Sequence, residues 1–215
     1  MSPFNKKLTP INGRLAAYAT LAGAALAAPA IPNADATIVY SGVVNFSIPN
    51  NFDGLYINFV TGATGTSAAS VPGANFNPYN GGTGLQFFWN AASNGGVSLD
   101  STTYATLAFG APISSANTFL NTTSTAATAA WRAGSNLYLG VRLTNSQTNV
   151  SNYGWVHLNT TGSTGFPATI VDYAYENTGG SITAGQVPEP TTFALLGVMA
   201  AGALGVRAWR KRKAA

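Results

Sequence analysis

The chain has 215 residues, no cysteine, a single histidine, two methionines and only 7% charged residues. Without cysteine there is no disulfide framework, no thiol chemistry, no cysteine-based zinc site and no lipid-carrying cysteine, so any folded part is held by its own core. With His157 as the only histidine, every histidine-dependent mechanism must pass through that one side chain. The six acidic residues are scattered, with no Asp/Asn ligand loop for calcium, and no glycine-rich segment ends in the Lys-Ser/Thr of a phosphate loop. No metal or cofactor is expected.

The few charges are placed unevenly. Residues 1–36 carry Lys6, Lys7 and Arg14 against Asp35, and residues 187–215 carry Arg207, Arg210, Lys211, Arg212 and Lys213 against Glu189. Between them lie only Arg132 and Arg142 against Asp53, Asp100, Asp172 and Glu176, a net −2. The sequence pI of 9.5 therefore comes from the two ends. Nucleic-acid binding, which needs a basic patch on the folded domain, has no support.

What the ends do contain is patterned. The basic, polar "MSPFNKKLTPINGR" precedes the uncharged "LAAYATLAGAALAA" and then "NADA", the order of a secretory signal peptide. Ala34 and Ala36 fit the small-x-small site of signal peptidase, so cleavage is expected after Ala36, with a site after Ala30 as the alternative. A buried alanine-rich helix is the competing structural explanation.

At the other end, Thr191 to Val206 is an uncharged run of 16 residues, about 24 Å of helix at about 1.5 Å per residue. Continuing through Trp209 adds about 4.5 Å, so the segment only just spans a hydrocarbon core of roughly 30 Å, with Arg207 snorkelling and Trp209 at the interface. Pro188 and Pro190 mark the helix start, and the basic cluster from Arg207 to Lys213 stops transfer on the cytoplasmic side.

The middle, 37–186, shows strand periodicity. "NLYLGVRLTN" puts Leu137, Leu139, Val141 and Leu143 on one face and Tyr138 and Arg142 on the other. "NYGWVHLNT" opposes Val156 and Leu158 to Tyr153, Trp155 and His157. "ATIVDYAYEN" aligns Val171, Tyr173 and Tyr175, and "TIVYSGVVNFSI" places Ile38, Tyr40, Val44, Phe46 and Ile48 on one parity. "DGLYINFV", "GLQFFWN" and "TYATLAF" are rougher examples. The Gly-, Asn- and Pro-rich stretch 61–84 is expected to be turns, and "NTTSTAATAA" (121–130) a spacer or a helical turn. The expected fold is all-β, an antiparallel β-sandwich or jelly roll, in three parts: signal peptide 1–36, exported domain 37–186, tail 187–215.

Val187-Pro188-Glu189-Pro190, an apolar run and an arginine-rich end, behind a signal peptide, resemble the PEP-CTERM sorting tail of exported Gram-negative proteins. A plain membrane anchor has no need of the Pro-Glu-Pro step. The resemblance implies cutting near Pro188-Glu189-Pro190 by exosortase, inner-membrane anchoring before that, and a surface or extracellular destination. It also implies a link to exopolysaccharide, biofilm or floc. "YGWVHLN", "IVDYAYEN" and "GGSITAGQ" are similar to the closing strands of other proteins with this tail.

Three chemistries remain open for the domain. His157, with Asp172 or Glu176 as orienter, is the one available acid–base pair, although its place in the alternation reads as a polar strand face. Asp172 and Glu176 as a glycosidase pair would stand about 13 Å apart on a straight strand, beyond the roughly 5–9.5 Å such enzymes use. Trp155, Tyr153 and His157 are candidate glycan contacts, the alternative being that such rings pack in the core. A structural or adhesive, non-catalytic domain is the expected function, with a carbohydrate-binding module as the alternative and a glycan hydrolase behind both.

Overall fold

The alternation in "NLYLGVRLTN" and its two successors builds the centre of the molecule. The computed structural model describes residues 37–144 and 150–188. The expected leader and membrane helix, with Ala34, Ala36, Glu189, Pro190, Arg207, Arg210, Lys211, Arg212 and Lys213, lie outside the described residues. In the first half of the chain the strands are β1 (Ile38–Tyr40), β2 (Phe46–Ile48), β3 (Tyr56–Ile57), β4 (Thr64–Gly65), β5 (Phe76–Asn80) and β6 (Leu85–Trp89). They continue with β7 (Gly95–Val97), β8 (Pro112–Ile113), β9 (Phe119–Leu120), β10 (Ser135–Thr144), β11 (Ser151–Thr160), β12 (Ala168–Glu176) and β13 (Ile182–Thr183). A one-turn helix, α1 (Ala129–Arg132), begins at the end of the Thr-rich spacer, and a short 3-10 turn lies at Ala68–Ser70.

All pairings are antiparallel. The main sheet runs β1-β12-β11-β10-β7-β9, with β2 also on β12; β4-β3-β5-β6 form a second sheet and β8-β13 a small third one. Among the described residues the protein is therefore all-β and sandwich-like, with almost no helix. Among the described residues no helix is long and apolar enough to cross a membrane.

The first core lies between the two larger sheets. Leu139, Val141 and Leu143 of β10, Val156 and Leu158 of β11, and Ile170, Tyr173 and Tyr175 of β12 meet Ile57, Phe76, Leu85, Phe87 and Trp89 of the second sheet. Trp89 donates its indole N–H to the Tyr104 hydroxyl (2.9 Å), which donates to the Thr122 carbonyl (2.7 Å), so these two buried polar groups are paired. In β10 and β11 the side chains of one parity fill this core, as a period of two requires; in β12 a bulge at Val171 shifts the parity, so Ile170 joins Tyr173 and Tyr175 and the expected alignment of Val171 with them does not hold.

The opposite face of the main sheet carries a second core. Tyr153, Trp155 and Ala174 pack there with Val97, Ala105, Ile113, Ile182 and Ala184. This layer reaches close to the backbone of the sheet because β10 has glycine at its centre. A β-carbon on Gly140 would lie 2.6 Å from Val97 Cγ2 and 2.9 Å from Leu107 Cδ1.

The stretch 37–48 does not form one strand. Val44 and Asn45 both donate to the Val171 carbonyl, Gly42 and Asn45 have φ of 68° and 50°, and Val43 is expelled to solvent. The interruption reverses the parity: Tyr40 packs with the second core and Phe46 with the first.

Candidate functional site

Sequence periodicity places Tyr153, Trp155, His157 and Asn159 on one face of β11, and register does the rest. Gly140 of β10 stands opposite Trp155, Tyr138 opposite His157, and Asp172 of β12 opposite His157 on the other side. The face that reads as a polar exterior is mostly roofed over.

Trp155 is 1% exposed. Its ring lies between Tyr40 (centroids 6.1 Å apart) and Tyr138 (5.3 Å, perpendicular), so neither side of the indole is open to a sugar. Tyr153 is buried against Phe119 (5.7 Å), over which the Arg142 guanidinium sits at 5.0 Å. Of the three candidate glycan contacts only His157 reaches the surface, and partially.

His157 is the hub of a polar cluster at that end. Its Nδ1 lies 3.1 Å from Asp172 Oδ1 and its Nε2 lies 3.0 Å from Asn136 Oδ1, while the Tyr138 ring stacks on the imidazole at 4.7 Å. The Tyr40 hydroxyl donates to Asp172 Oδ2 at 2.8 Å. Burial, and then that hydrogen bond to a carboxylate, push the Tyr40 phenol up to about 12. A histidine oriented by an aspartate is half of a nucleophile-activating triad. Here the second ring nitrogen faces an amide instead of a hydroxyl, and Asp172 is shared with a tyrosine.

Glu176 is enclosed by the turn that follows β12. It is fully buried, and it accepts from the Thr178 amide (2.9 Å), the Thr178 hydroxyl (2.6 Å) and the Gly180 amide. Both its oxygens are engaged in closing the turn after β12. Among the described residues no three His, Asp or Glu side chains are grouped so as to hold a metal ion.

The same face leads to the chain's exit. β13 pairs with β8, and the Ala184 amide donates to the Ala111 carbonyl (2.8 Å) while Gly110 donates to the Ala184 carbonyl (2.8 Å). Gln186 then locks the end: its amide donates to the Thr183 carbonyl (2.9 Å) and its Oε1 accepts from the Thr183 amide (3.0 Å). Finally Trp155 Nε1 donates to the Gln186 carbonyl at 3.0 Å. Val187 and Pro188 follow as exposed residues.

A family model described as the PEP-CTERM protein-sorting motif matches residues 186–213. The chain carries a PEP-CTERM sorting motif. The match begins at Gln186, the residue on which the folded part closes. A PEP-CTERM motif implies export, transient membrane anchoring and processing by an exosortase on the way to the cell surface. No curated protein and no solved structure matches the chain.

Proposed function

We propose that this chain is the precursor of an exported, non-catalytic surface protein. The leader 1–36 takes it through the inner membrane of a Gram-negative envelope and is removed by signal peptidase. The tail 187–215 holds it there, and exosortase cuts it near Pro188-Glu189-Pro190. The domain 37–186 then serves a structural or adhesive role in exopolysaccharide, biofilm or floc.

The observation that carries this reading is the clasp of Trp155 on Gln186. Among the described residues, the hydrogen bonds that close the domain's C-terminal edge are made by residues up to Gln186, which supports a cut just beyond that point. The engagement of both His157 nitrogens supports a role without catalysis. The test is truncation. A chain ending at Pro188 is expected to melt with the full chain's domain and to leave the membrane fraction for the medium. A chain ending at Ser181, lacking β13, should be several degrees less stable, at about 2–4 °C per kcal/mol for a domain of this size. Equal melting of both truncations would remove the argument.

A second reading, a carbohydrate-binding module, is favoured by a different place in the fold: an open aromatic cleft on the outer face of the β4-β3-β5-β6 sheet.

A further inference from the structure

The alternation that buries Phe76 of β5 with Leu85, Phe87 and Trp89 of β6 sends Asn77, Tyr79, Gln86 and Phe88 outward. Register pairs Asn77 with Phe88 and Tyr79 with Gln86. Tyr56, next to the inward Ile57 of β3, falls on the same outer face. A turn carrying Phe52 stands beside them, and together Phe52, Tyr56, Asn77, Tyr79 and Phe88 line a cleft of about 200 Å³.

The cleft is built, not incidental. The Gly54 amide donates to Asn51 Oδ1 (2.9 Å), the Asn80 amide to the Asn51 carbonyl (2.9 Å) and the Leu55 amide to the Pro78 carbonyl (3.1 Å), which pins the turn to β5. Gly54 has φ of 62°, and a β-carbon there would lie 2.4 Å from both the Pro78 carbonyl oxygen and Tyr79 Cβ, so only glycine lets the turn sit this close. Tyr79 is fixed by donating to Gln86 Oε1 at 2.7 Å. Phe52, 72% exposed, is held 5.9 Å from Tyr79, an arrangement that leaves a large ring in water.

One buried polar atom is left over. Asn77 is 2% exposed and donates through Nδ2 to the Asp53 carbonyl (3.1 Å), yet its Oδ1 has no partner among the described residues. That oxygen is covered by the turn, since a β-carbon on Gly54 would stand 2.5 Å from it, so it gives the cleft no open acceptor. None of the five lining side chains is charged, so a charged ligand would be desolvated there without compensation. Flat rings with electron-rich faces and no charge match a neutral ligand with a C–H-bearing face, as a sugar ring has.

We infer that this cleft binds a neutral saccharide. One face of a sugar ring stacks on the rings of the cleft, among which Phe52 and Phe88 are exposed. The inference rests on the carbohydrate-binding reading above and gives it an address.

The test is affinity electrophoresis of the purified full chain through gels containing neutral polysaccharides (a β-glucan, a mannan, and the producing strain's own neutral exopolysaccharide) and an acidic one, alginate. The wild type should be retarded by at least one neutral polysaccharide. Phe52→Ala and Phe88→Ala, on separate elements, should each weaken that retardation about ten-fold, the scale of losing one central aromatic contact. Leu99→Ala, an equally exposed apolar residue outside the cleft, should change nothing. Retardation that survives both phenylalanine substitutions overturns the cleft while leaving carbohydrate binding in place. Retardation by no polysaccharide overturns both, and retardation by alginate alone overturns the neutral-ligand assignment.

Discussion

Replacing Trp155 tests whether the second core and the C-terminal clasp are one cooperative unit. The indole is buried, contacts the rings of Tyr40 and Tyr138, and donates the hydrogen bond that holds Gln186. Trp155→Ala removes the ring and leaves a cavity, at a cost of about 3–5 kcal/mol. At about 2–4 °C per kcal/mol this lowers the melting temperature by roughly 6–20 °C. Trp155→Phe keeps most of the packing and loses the donor, costing about 1–2 kcal/mol and roughly 2–8 °C. Thermal unfolding followed by circular dichroism reads both. Amide hydrogen exchange adds location, because the Ala184 and Gln186 amides, bonded to Ala111 and Thr183, should exchange faster in both variants. An alanine variant that melts with the wild type, or keeps protection at 184 and 186, would refute the claim that Trp155 organises this edge.

Other expectations follow from single contacts. Gly140→Ala drives a methyl into Val97 and Leu107; overpacking of this kind should cost about 1–3 kcal/mol, read as a lower denaturation midpoint with unchanged slope. Tyr40, raised above the ordinary tyrosine value near 10 by burial and by Asp172, keeps its proton more tightly folded than unfolded. Its stabilising contribution is present below pH 10 and is lost as pH rises toward 12, so Tyr40→Phe should flatten the alkaline limb of the stability profile. Asp100 shows the opposite sign. The amides and hydroxyls of Thr102 and Thr103 hold its carboxyl down at about 2, so its contribution is present above the ordinary carboxylate range and fades as pH falls through 2. Asp100→Asn should make the acid limb shallower.

The strands easiest to see in the sequence were the long central ones, because β10, β11 and β12 each span enough alternations for a period of two to stand out. The segment 37–48 showed the same parity from Ile38 to Ile48, but Gly42 and Asn45 take left-handed conformations that no alternation count registers. β5 lay hidden within 61–84, since Pro78 and its Asn and Gly neighbours signal turns, although a proline can sit in a strand where its missing donor is not needed. That hid the aromatic cleft, whose lining comes partly from β5 and partly from the 50–54 turn. The outer face of β11 read as solvent-facing because what covers it, β8 and β13, consists of two-residue strands too short to show any period. Asp172 was legible as a partner for His157; Asn136 and Tyr40 were not, because they meet it only through strand register. The tail was legible because its signal is linear: a tetrapeptide, an apolar run and a basic end need no fold to bring them together.

The central claim is that the mature protein ends at about residue 187, near Pro188-Glu189-Pro190, and that the tail beyond is an address removed by exosortase. Mass spectrometry of the C-terminus of the surface or extracellular protein, from cells with and without exosortase, tests it most directly. A C-terminus at or within a few residues of Pro188-Glu189-Pro190, present only when exosortase is present, is the expected result. An intact C-terminus at Ala215 on the surface protein, or the same cut in cells lacking exosortase, would contradict it.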